Sequence, residues 1–250
     1  MKRMMKKLTG IVIALTMLFS AIPASAAISV ESDQVLYMTS TSSSTTSYAS
    51  IYVSGLSSSQ KITQSSVKSS KTSVASVYSL DRYASSSNYY YYESKTSSSS
   101  SGTSSSIGLK LKKAGTATIS FKIGSKTYKS KITVKSYTNP VKSITISGVN
   151  SSKTFASKTK SSNSVSGLTL SKTTKNAKIS VTAKSGWKVR YISLYNSDTG
   201  ENYSYSNYSN PKTSASMNLG TLTKGKSYSV YVTFVNTSNG ASLSTSYTFS

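Results

Sequence analysis

Apolar and polar residues alternate along most of the chain, and this period of two residues is typical of half-buried β-strands. The clearest stretch is 116–123, where one face would carry Ala117, Ile119, Phe121 and Ile123. Gly124 and Ser125 then provide a turn, and the alternation continues on a returning stretch through Tyr128, Ser130, Ile132 and Val134. These residues predict a β-hairpin with one apolar and one polar face.

The same alternation predicts further strands on both sides of Pro140. Before it, the candidate strands cover residues 28–38, 47–53, 74–78 and 107–112. After it, they cover residues 141–146, 177–184, 187–195, 202–206, 214–219, 228–235 and 243–249. Asn239-Gly240 tolerates the positive φ of a turn, so the last two stretches predict a second hairpin. Helical periodicity is nearly absent, and the predicted fold class is all-β.

The stretch 187–195 alternates irregularly. Trp187 and Val189 share one parity, whereas Ile192 and Leu194 share the other. A strand that changes parity needs an extra or twisted residue, so we expect a β-bulge or a twist between the two pairs. A Trp that enters a sandwich strand is more often a core residue than an exposed one, and Trp187 is expected in the core.

The length of the chain fits two domains of about 110 residues each. We predict antiparallel β-sandwiches over residues 27–137 and 138–250. The first contains an insertion at about 85–106 that is rich in Ser and Tyr. Such a segment buries little apolar surface, so most of it is expected to be a mobile loop, although its run of tyrosines could pair as an edge strand.

Residues 1–26 have the pattern of a cleaved export signal peptide. Their positive segment contains Lys2, Arg3, Lys6 and Lys7, and an apolar run at 11–22 leads to a small-residue cleavage site at Ala24-Ser25-Ala26. The run is shorter than the roughly 20 residues that span a bilayer, which favours cleavage over a membrane anchor. We therefore expect a secreted, extracellular protein that is not transmembrane. If it stays at the cell wall of a Gram-positive bacterium, it is expected to be held there non-covalently.

Residues 28–137 resemble the bacterial Ig-like domain, group 2. The matching stretches are Ser69-Ser-Lys-Thr-Ser-Val-Ala-Ser-Val77, Leu111-Lys-Lys-Ala-Gly-Thr-Ala-Thr-Ile119, Gly124-Ser-Lys-Thr-Tyr128 and Lys131-Ile-Thr-Val134. The resemblance implies an Ig-like sandwich of the kind found in surface adhesins and as spacers in large exported bacterial proteins. It brings no catalytic residues with it.

The second half is similar, more loosely, to fibronectin type III and other Ig-like sandwiches. The stretch Leu222-Thr-Lys-Gly225-Lys-Ser-Tyr228 looks like the approach to a tyrosine corner. In such a corner the tyrosine hydroxyl bonds back to the backbone a few residues upstream. The resemblance therefore implies this role for Tyr228.

The composition excludes most catalytic chemistry. The chain has no His and no Cys, so it lacks an imidazole base, a thiol nucleophile, a disulfide and an ordinary zinc site. Its six acids are Glu31, Asp33, Asp81, Glu93, Asp198 and Glu201. Glu31 and Asp33 are expected to be solvated near the N-terminus, and Asp198 and Glu201 are expected to lie in a turn. Neither pair suggests acid–base catalysis, so we predict no enzyme, no metal site and no cofactor. A Lys–Asn isopeptide crosslink stays open.

The charge of the chain is more informative about its function than its lack of catalytic residues. The formal net charge of +24 becomes 24 − 4 = +20 without the signal, and it comes almost entirely from dispersed lysines. Proteins that bind nucleic acids usually cluster their basic residues in one element and contact the bases and phosphates with Arg, so no nucleic acid is expected as a partner. A lysine field suits anionic cell-wall polymers, lipid headgroups or acidic glycans, and the candidate residues on one hairpin face are Lys122, Lys129, Lys131 and Lys135. The alternative is that these lysines only aid solubility and protect strand edges.

Tyrosines in polar surroundings are the last candidate feature. They could stack on sugars or contact another surface protein, or could be ordinary strand residues. The candidates are Tyr89, Tyr90, Tyr91, Tyr92, Tyr203, Tyr205 and Tyr208. The leading hypothesis is a non-catalytic surface module for adhesion or spacing that attracts anionic polymers. The alternative is a carbohydrate-binding module that uses these tyrosines.

Overall fold

The structure is a computed structural model, and it describes residues 27–42, 45–57, 59–83, 104–149 and 157–250. The predicted signal peptide, most of the predicted insertion and the four tyrosines at 89–92 lie outside the described residues. In the described residues of the first half, the strands are β1 (Ser29–Val30), β2 (Asp33–Tyr37), β3 (Ser47–Ser54), β4 (Ile62–Ser69), β5 (Ala75–Tyr83), β6 (Ser104–Leu111), β7 (Gly115–Ile123) and β8 (Lys126–Lys135).

The second half is also built from strands. They are β9 (Val141–Ile146), β10 (Ser164–Leu168), β11 (Thr174–Ala183), β12 (Trp187–Asn196), β13 (Asn202–Ser206), β14 (Ser214–Leu222), β15 (Tyr228–Asn236) and β16 (Ser242–Phe249). The all-β prediction is confirmed. Within the described ranges, no helix is long and apolar enough to cross a membrane.

Two four-stranded sheets form the first sandwich, with strand orders β1-β3-β6-β5 and β2-β8-β7-β4. Their inward side chains make one core that includes Ile51, Ile107, Leu109, Phe121 and Ile132, each fully buried. If β1 and β2 are taken as two parts of strand A, the sheets read A-B-E-D and A-G-F-C. Apart from that divided first strand, this is the order of a constant-type Ig domain, so the Ig-like prediction is confirmed at the level of the fold.

A three-stranded sheet, β14-β11-β9, faces a five-stranded sheet, β10-β16-β15-β12-β13, in the second sandwich. The core between them contains Ile144, Ile179, Val232, Phe234 and Tyr247. The two cores are separate clusters, and the half-buried Met38 packs against both. The domain boundary near Pro140 stays a prediction.

The described sheets are antiparallel apart from one pair of strands in each sandwich. β2 runs parallel to β8, and β10 runs parallel to β16. In both cases an early strand lies beside the last strand of its half. Strands joined by a tight hairpin turn must be antiparallel. These strands are far apart along the chain and are not joined by such a turn, so they can run parallel.

Two strands were not predicted, because their sequences alternate poorly. β4 has only Ile62 and Val67 as apolar residues, and its register against β7 shifts between Thr63 and Lys68. β10 is a short edge strand interrupted by Gly167, whose φ is 68°. At the end of the predicted insertion, Ser104–Ser106 belong to β6.

Several local predictions in the regular strands are confirmed. β7 with β8 and β15 with β16 form the two hairpins. The register of β12 against β15 shifts between Val189 and Tyr191, which makes Arg190 the bulged residue. Trp187 is buried. The hydroxyl of Tyr228 accepts a hydrogen bond from the backbone N–H of Thr223 at 2.8 Å, as a tyrosine corner requires.

A short extended segment after β2, residues 38–41, joins the two halves. The N–H of Thr41 donates to the carbonyl of Ser161, and the N–H of Asn163 donates to the carbonyl of Thr39, both at 2.9 Å. Next to this segment, the ring of Tyr37 packs on that of Trp187, with 5.0 Å between the ring centroids. The N-terminal strand of the first sandwich is thus attached to the second.

Replacement of Tyr228 by Phe removes the acceptor of the corner bond and keeps the buried ring. We expect Tyr228→Phe to lower the free energy of unfolding by about 1 kcal/mol, measured by denaturant titration. Tyr231→Phe is the matched control, because Tyr231 lies on the same strand with an exposed side chain, and it should change stability by less than about 0.5 kcal/mol. Equal effects of the two variants would contradict the corner's contribution.

The Tyr37–Trp187 contact can be followed by fluorescence, because Trp187 is the only tryptophan of the chain. Tyr37→Ala uncovers one side of the indole, so its emission should shift to longer wavelength and its quenching by iodide should increase. Tyr48→Ala removes an exposed ring from the first sandwich and should leave both measurements unchanged. Emission from the Tyr37→Ala variant identical to that of the parent would show that this contact does not shield Trp187.

Candidate functional site

Exposed lysines cover the outer face of the sheet β2-β8-β7-β4. On β8, Ile132 and Val134 point into the core, so the intervening residues point outwards. We define the lysine face as the exposed residues Lys68, Lys122, Lys129, Lys131 and Lys135. The structure therefore places all four lysines predicted from the hairpin on one surface.

The strand register brings these lysines close together. Lys129 lies opposite Ser120 on β7, and Ser120 lies opposite Lys68 on β4. The backbones of Lys68 and Lys129 are thus two strand spacings apart, or about 10 Å. Lys131 is opposite Thr118, so hydroxyl side chains lie between the ammonium-bearing ones. This surface can offer several cations to one extended ligand.

Of the acids that the structure describes, one lies on this outer face, Asp33, in parallel register with Lys131. The nearby Glu31 is occupied elsewhere, since its carboxylate accepts hydrogen bonds from the Gln34 amide at 2.7 Å and from the Tyr52 backbone N–H at 3.2 Å. The lysine face therefore carries a clear excess of positive charge, and we expect its potential to attract polyanions.

The tyrosines predicted in the second sandwich do not form one surface. Tyr203 and Tyr205 lie opposite the buried residues Leu194 and Ile192, so they point to the core side of the edge strand β13. Tyr205 is half-buried and packs against the core, whereas Tyr203 is 43% exposed beyond it. Tyr208 lies instead beside Tyr191, with 6.0 Å between the ring centroids.

Sequence reasoning also missed exposed residues with the same chemistry. Lys68 was missed because β4 was not predicted. Tyr195 and Tyr231 are 41% and 45% exposed on the outer face of the five-stranded sheet. A signal for Tyr231 was present, since the strict alternation of Tyr228, Val230 and Val232 leaves the intervening residue outside.

The described acids take part in local structure. Asp198 lies in a turn, where its carboxylate accepts a hydrogen bond from the backbone N–H of Ser227 at 2.8 Å. Glu201 accepts one from the hydroxyl of Thr199 at 3.1 Å. No group of three His, Cys, Asp or Glu residues that could hold a metal ion occurs among the residues that the structure describes. A cavity of about 280 Å³ beside Leu168, Tyr228 and Phe249 is lined by hydroxyl and apolar residues.

Two tyrosine hydroxyls in the second core have shifted pKa values. Burial raises the pKa of Tyr137 to about 12, and burial also raises the pKa of Tyr247. The Tyr137 oxygen lies 2.6 Å from the carbonyl oxygen of Thr159 and 3.0 Å from that of Ser162. A hydroxyl that keeps its proton and donates hydrogen bonds to backbone carbonyls in this way stabilises the fold.

No protein-family model matches the chain, and no curated protein matches it. The resemblance of residues 28–137 to the bacterial Ig-like domain, group 2, therefore stays an expectation. Solved structures of surface-layer and adhesin proteins are similar to the chain.

One of them contains domains 5–6 of the S-layer protein SbsC, with 14% identity, 88% of this chain and 96% of that chain covered, and a TM-score of 0.30. A second, with SbsC domains 4 and 5, has 18% identity and a TM-score of 0.29 over 43% of this chain, and the match spans half of that solved chain. The Yersinia pseudotuberculosis adhesin InvE has 10% identity, with 91% and 61% of the two chains covered and a TM-score of 0.26. Likenesses at these TM-scores carry no argument about function.

The raised pKa of Tyr137 predicts a loss of stability at alkaline pH. The pKa of an unfolded tyrosine is near 10.0, and burial raises the pKa of the folded Tyr137 to about 12. The unfolded state therefore loses its proton first, so the contribution is complete below pH 10 and falls as the pH rises from 10 to 12.

The midpoint of denaturant unfolding, measured across this pH range, should fall less steeply for Tyr137→Phe than for the parent. Tyr48→Phe changes an exposed tyrosine and should leave the slope unaltered. Equal slopes in the parent and in Tyr137→Phe would be evidence against this linkage.

Proposed function

We propose that this protein is an exported, non-catalytic module of the bacterial cell surface. It acts in adhesion or as a spacer, and its lysine face binds anionic wall polymers or acidic glycans. The observation that carries the proposal is the placement of Lys68, Lys122, Lys129, Lys131 and Lys135 on one exposed sheet face beside a single acid, Asp33.

An extended polyanion suits this surface better than a small anion does. An exposed ion pair contributes only about 0.2–1 kcal/mol, so a single phosphate would be held weakly. A polymer with regularly spaced charges engages several lysines at once, and the later contacts form within an already tethered complex. The lysine spacing of about 10 Å is close to the Debye length at 0.1 M salt, so binding should weaken strongly as salt increases.

The alternative, that these lysines only aid solubility and protect strand edges, explains their positions less well than ligand binding does. Lys122 and Lys131 lie where their strands are paired on both sides, Lys122 on β7 between β4 and β8, and Lys131 on β8 between β7 and β2. A paired strand has no free edge to protect. The carbohydrate-binding alternative based on Tyr203, Tyr205 and Tyr208 is weakened because these side chains are divided between two surfaces.

The test is binding of the full chain to purified wall teichoic acid at about 50 and 500 mM salt. The double variant Lys129→Gln/Lys131→Gln should bind about 3- to 10-fold more weakly at 50 mM, which corresponds to two exposed ion pairs. Binding by the parent should be largely lost at 500 mM.

Lys142→Gln/Lys178→Gln is the matched control, because it removes the same charge from exposed positions on β9 and β11 of the second sandwich. It should change the affinity less than twofold. Equal losses in both double variants would attribute binding to net charge rather than to the lysine face. The same absence of binding at both salt concentrations would remove the electrostatic proposal altogether.

A further inference from the structure

A second exposed surface, on the other sandwich, has different chemistry. In β12, Ile192 and Leu194 are buried, so the tyrosines on either side of Ser193 belong to the outer face of the five-stranded sheet. In β15, Val230 and Val232 are buried, which places Tyr231 on the same outer face. We define the tyrosine face as Tyr191, Tyr195, Tyr208 and Tyr231.

The register spaces these rings along the sheet. Ser193 lies directly opposite Tyr231. Tyr191 and Tyr195 are therefore the two diagonal neighbours of Tyr231, and their Cα atoms are about 7–8 Å from the Tyr231 Cα atom. The ring of Tyr208 extends the row beyond Tyr191, at 6.0 Å between centroids. Tyr208 is 62% exposed, the most of the four. The result is a line of separate aromatic surfaces across three structural elements.

Tyr208 lies in a loop, but local contacts hold its ring. The guanidinium of Arg190, the bulged residue of β12, lies over the ring at 5.9 Å from the centroid. Arg190 also donates a hydrogen bond from Nη1 to the Ser242 hydroxyl at 3.1 Å, and its carbonyl accepts one from the N–H of Asn207. A ring positioned before a ligand arrives loses little conformational entropy on binding.

Hydroxyl and amide side chains surround the rings. The outward residues that lie beside them on the five strands are Ser164, Ser193, Asn202, Ser204, Ser206, Ser229, Thr233, Ser244, Ser246 and Thr248. Among the described strand residues of this face, the positively charged ones are Lys188 and Arg190 at one end, and the rows of Tyr231 and Tyr195 carry none. The contrast with the lysine face is clear in a chain with 30 Lys and Arg residues.

We propose that the tyrosine face binds an uncharged polysaccharide chain. The apolar C–H faces of sugar rings can lie on exposed tyrosine rings, while sugar hydroxyls exchange hydrogen bonds with the serine and threonine rows. A charged polymer finds no counter-charge at the centre of this face. A protein partner would have to supply a polar group opposite each hydroxyl row, because a buried hydroxyl without a partner costs free energy.

The exposed tyrosines of the first sandwich lack this arrangement. Tyr48 and Tyr78 contact each other edge to face, with 5.0 Å between ring centroids, and Lys110 lies opposite Tyr48 in the sheet. Tyr52 is 56% exposed on the same strand as Tyr48. Because it is a solvent-facing tyrosine outside the proposed site, it provides a matched control.

The test uses the full chain and four uncharged hexasaccharides, namely cellohexaose, hexa-N-acetylchitohexaose, maltohexaose and mannohexaose, titrated by calorimetry at about 50 and 500 mM salt. At least one should bind, with the same affinity at both salt concentrations. Tyr231→Ala should weaken that binding about 3- to 10-fold, and Tyr231→Phe should keep most of it, because the ring supplies the contact. Tyr52→Ala should leave it unchanged.

Several outcomes would overturn the proposal. These are no binding of any hexasaccharide at millimolar concentration, loss of binding at 500 mM salt, and equal losses from Tyr52→Ala and Tyr231→Ala. Self-association that Tyr231→Ala abolishes would overturn it as well, since the face would then be an interface between copies. Lys129→Gln/Lys131→Gln should bind the sugar normally, which separates this result from failure of the polyanion proposal.

Discussion

Ile119, Phe121, Ile132 and Val134 are each at most 1% exposed, and they hold β7 and β8 in one register. A slip of one residue would turn Lys129 and Lys131 into the core and the aliphatic side chains into water. Burying ammonium groups in this way costs several kcal/mol each, so the register has no close competitor. The lysine face depends on this register. The tyrosine face depends on the corresponding constraint in β12 and β15, where buried aliphatic residues on the strands leave the tyrosines outside.

The regular strands were predictable for this reason, and the irregular ones were not. Tyr228 to Phe234 alternates strictly, so the strand could be predicted from the sequence. The corner role of its first residue came instead from the resemblance of residues 222–228 to a tyrosine corner. β4 holds its place with two apolar residues and a shifted register, which leaves no period to detect. Because β4 was not predicted, Lys68 was absent from the predicted site.

Parity predicted which residues share a face but not always which face is buried. Tyr203 and Tyr205 have the same parity and lie on one side of β13, yet that side faces the core edge. In a strand made only of Ser, Asn and Tyr, neither row is aliphatic, so the choice depends on the neighbouring strand. The contact of Tyr37 with Trp187 has the same origin, because it joins residues far apart in the sequence and no local pattern records it.

The two parallel strand pairs have a mechanical consequence. In each sandwich, an early strand lies alongside the last one, β2 beside β8 and β10 beside β16. Tension that reaches β2 and β8 from opposite ends pulls these two strands past each other along their common axis. The hydrogen bonds between them then bear the force together instead of opening one after another. The second sandwich begins with β9, which is antiparallel to β11, so a pull on its N-terminal end loads that pair before it loads β10 and β16.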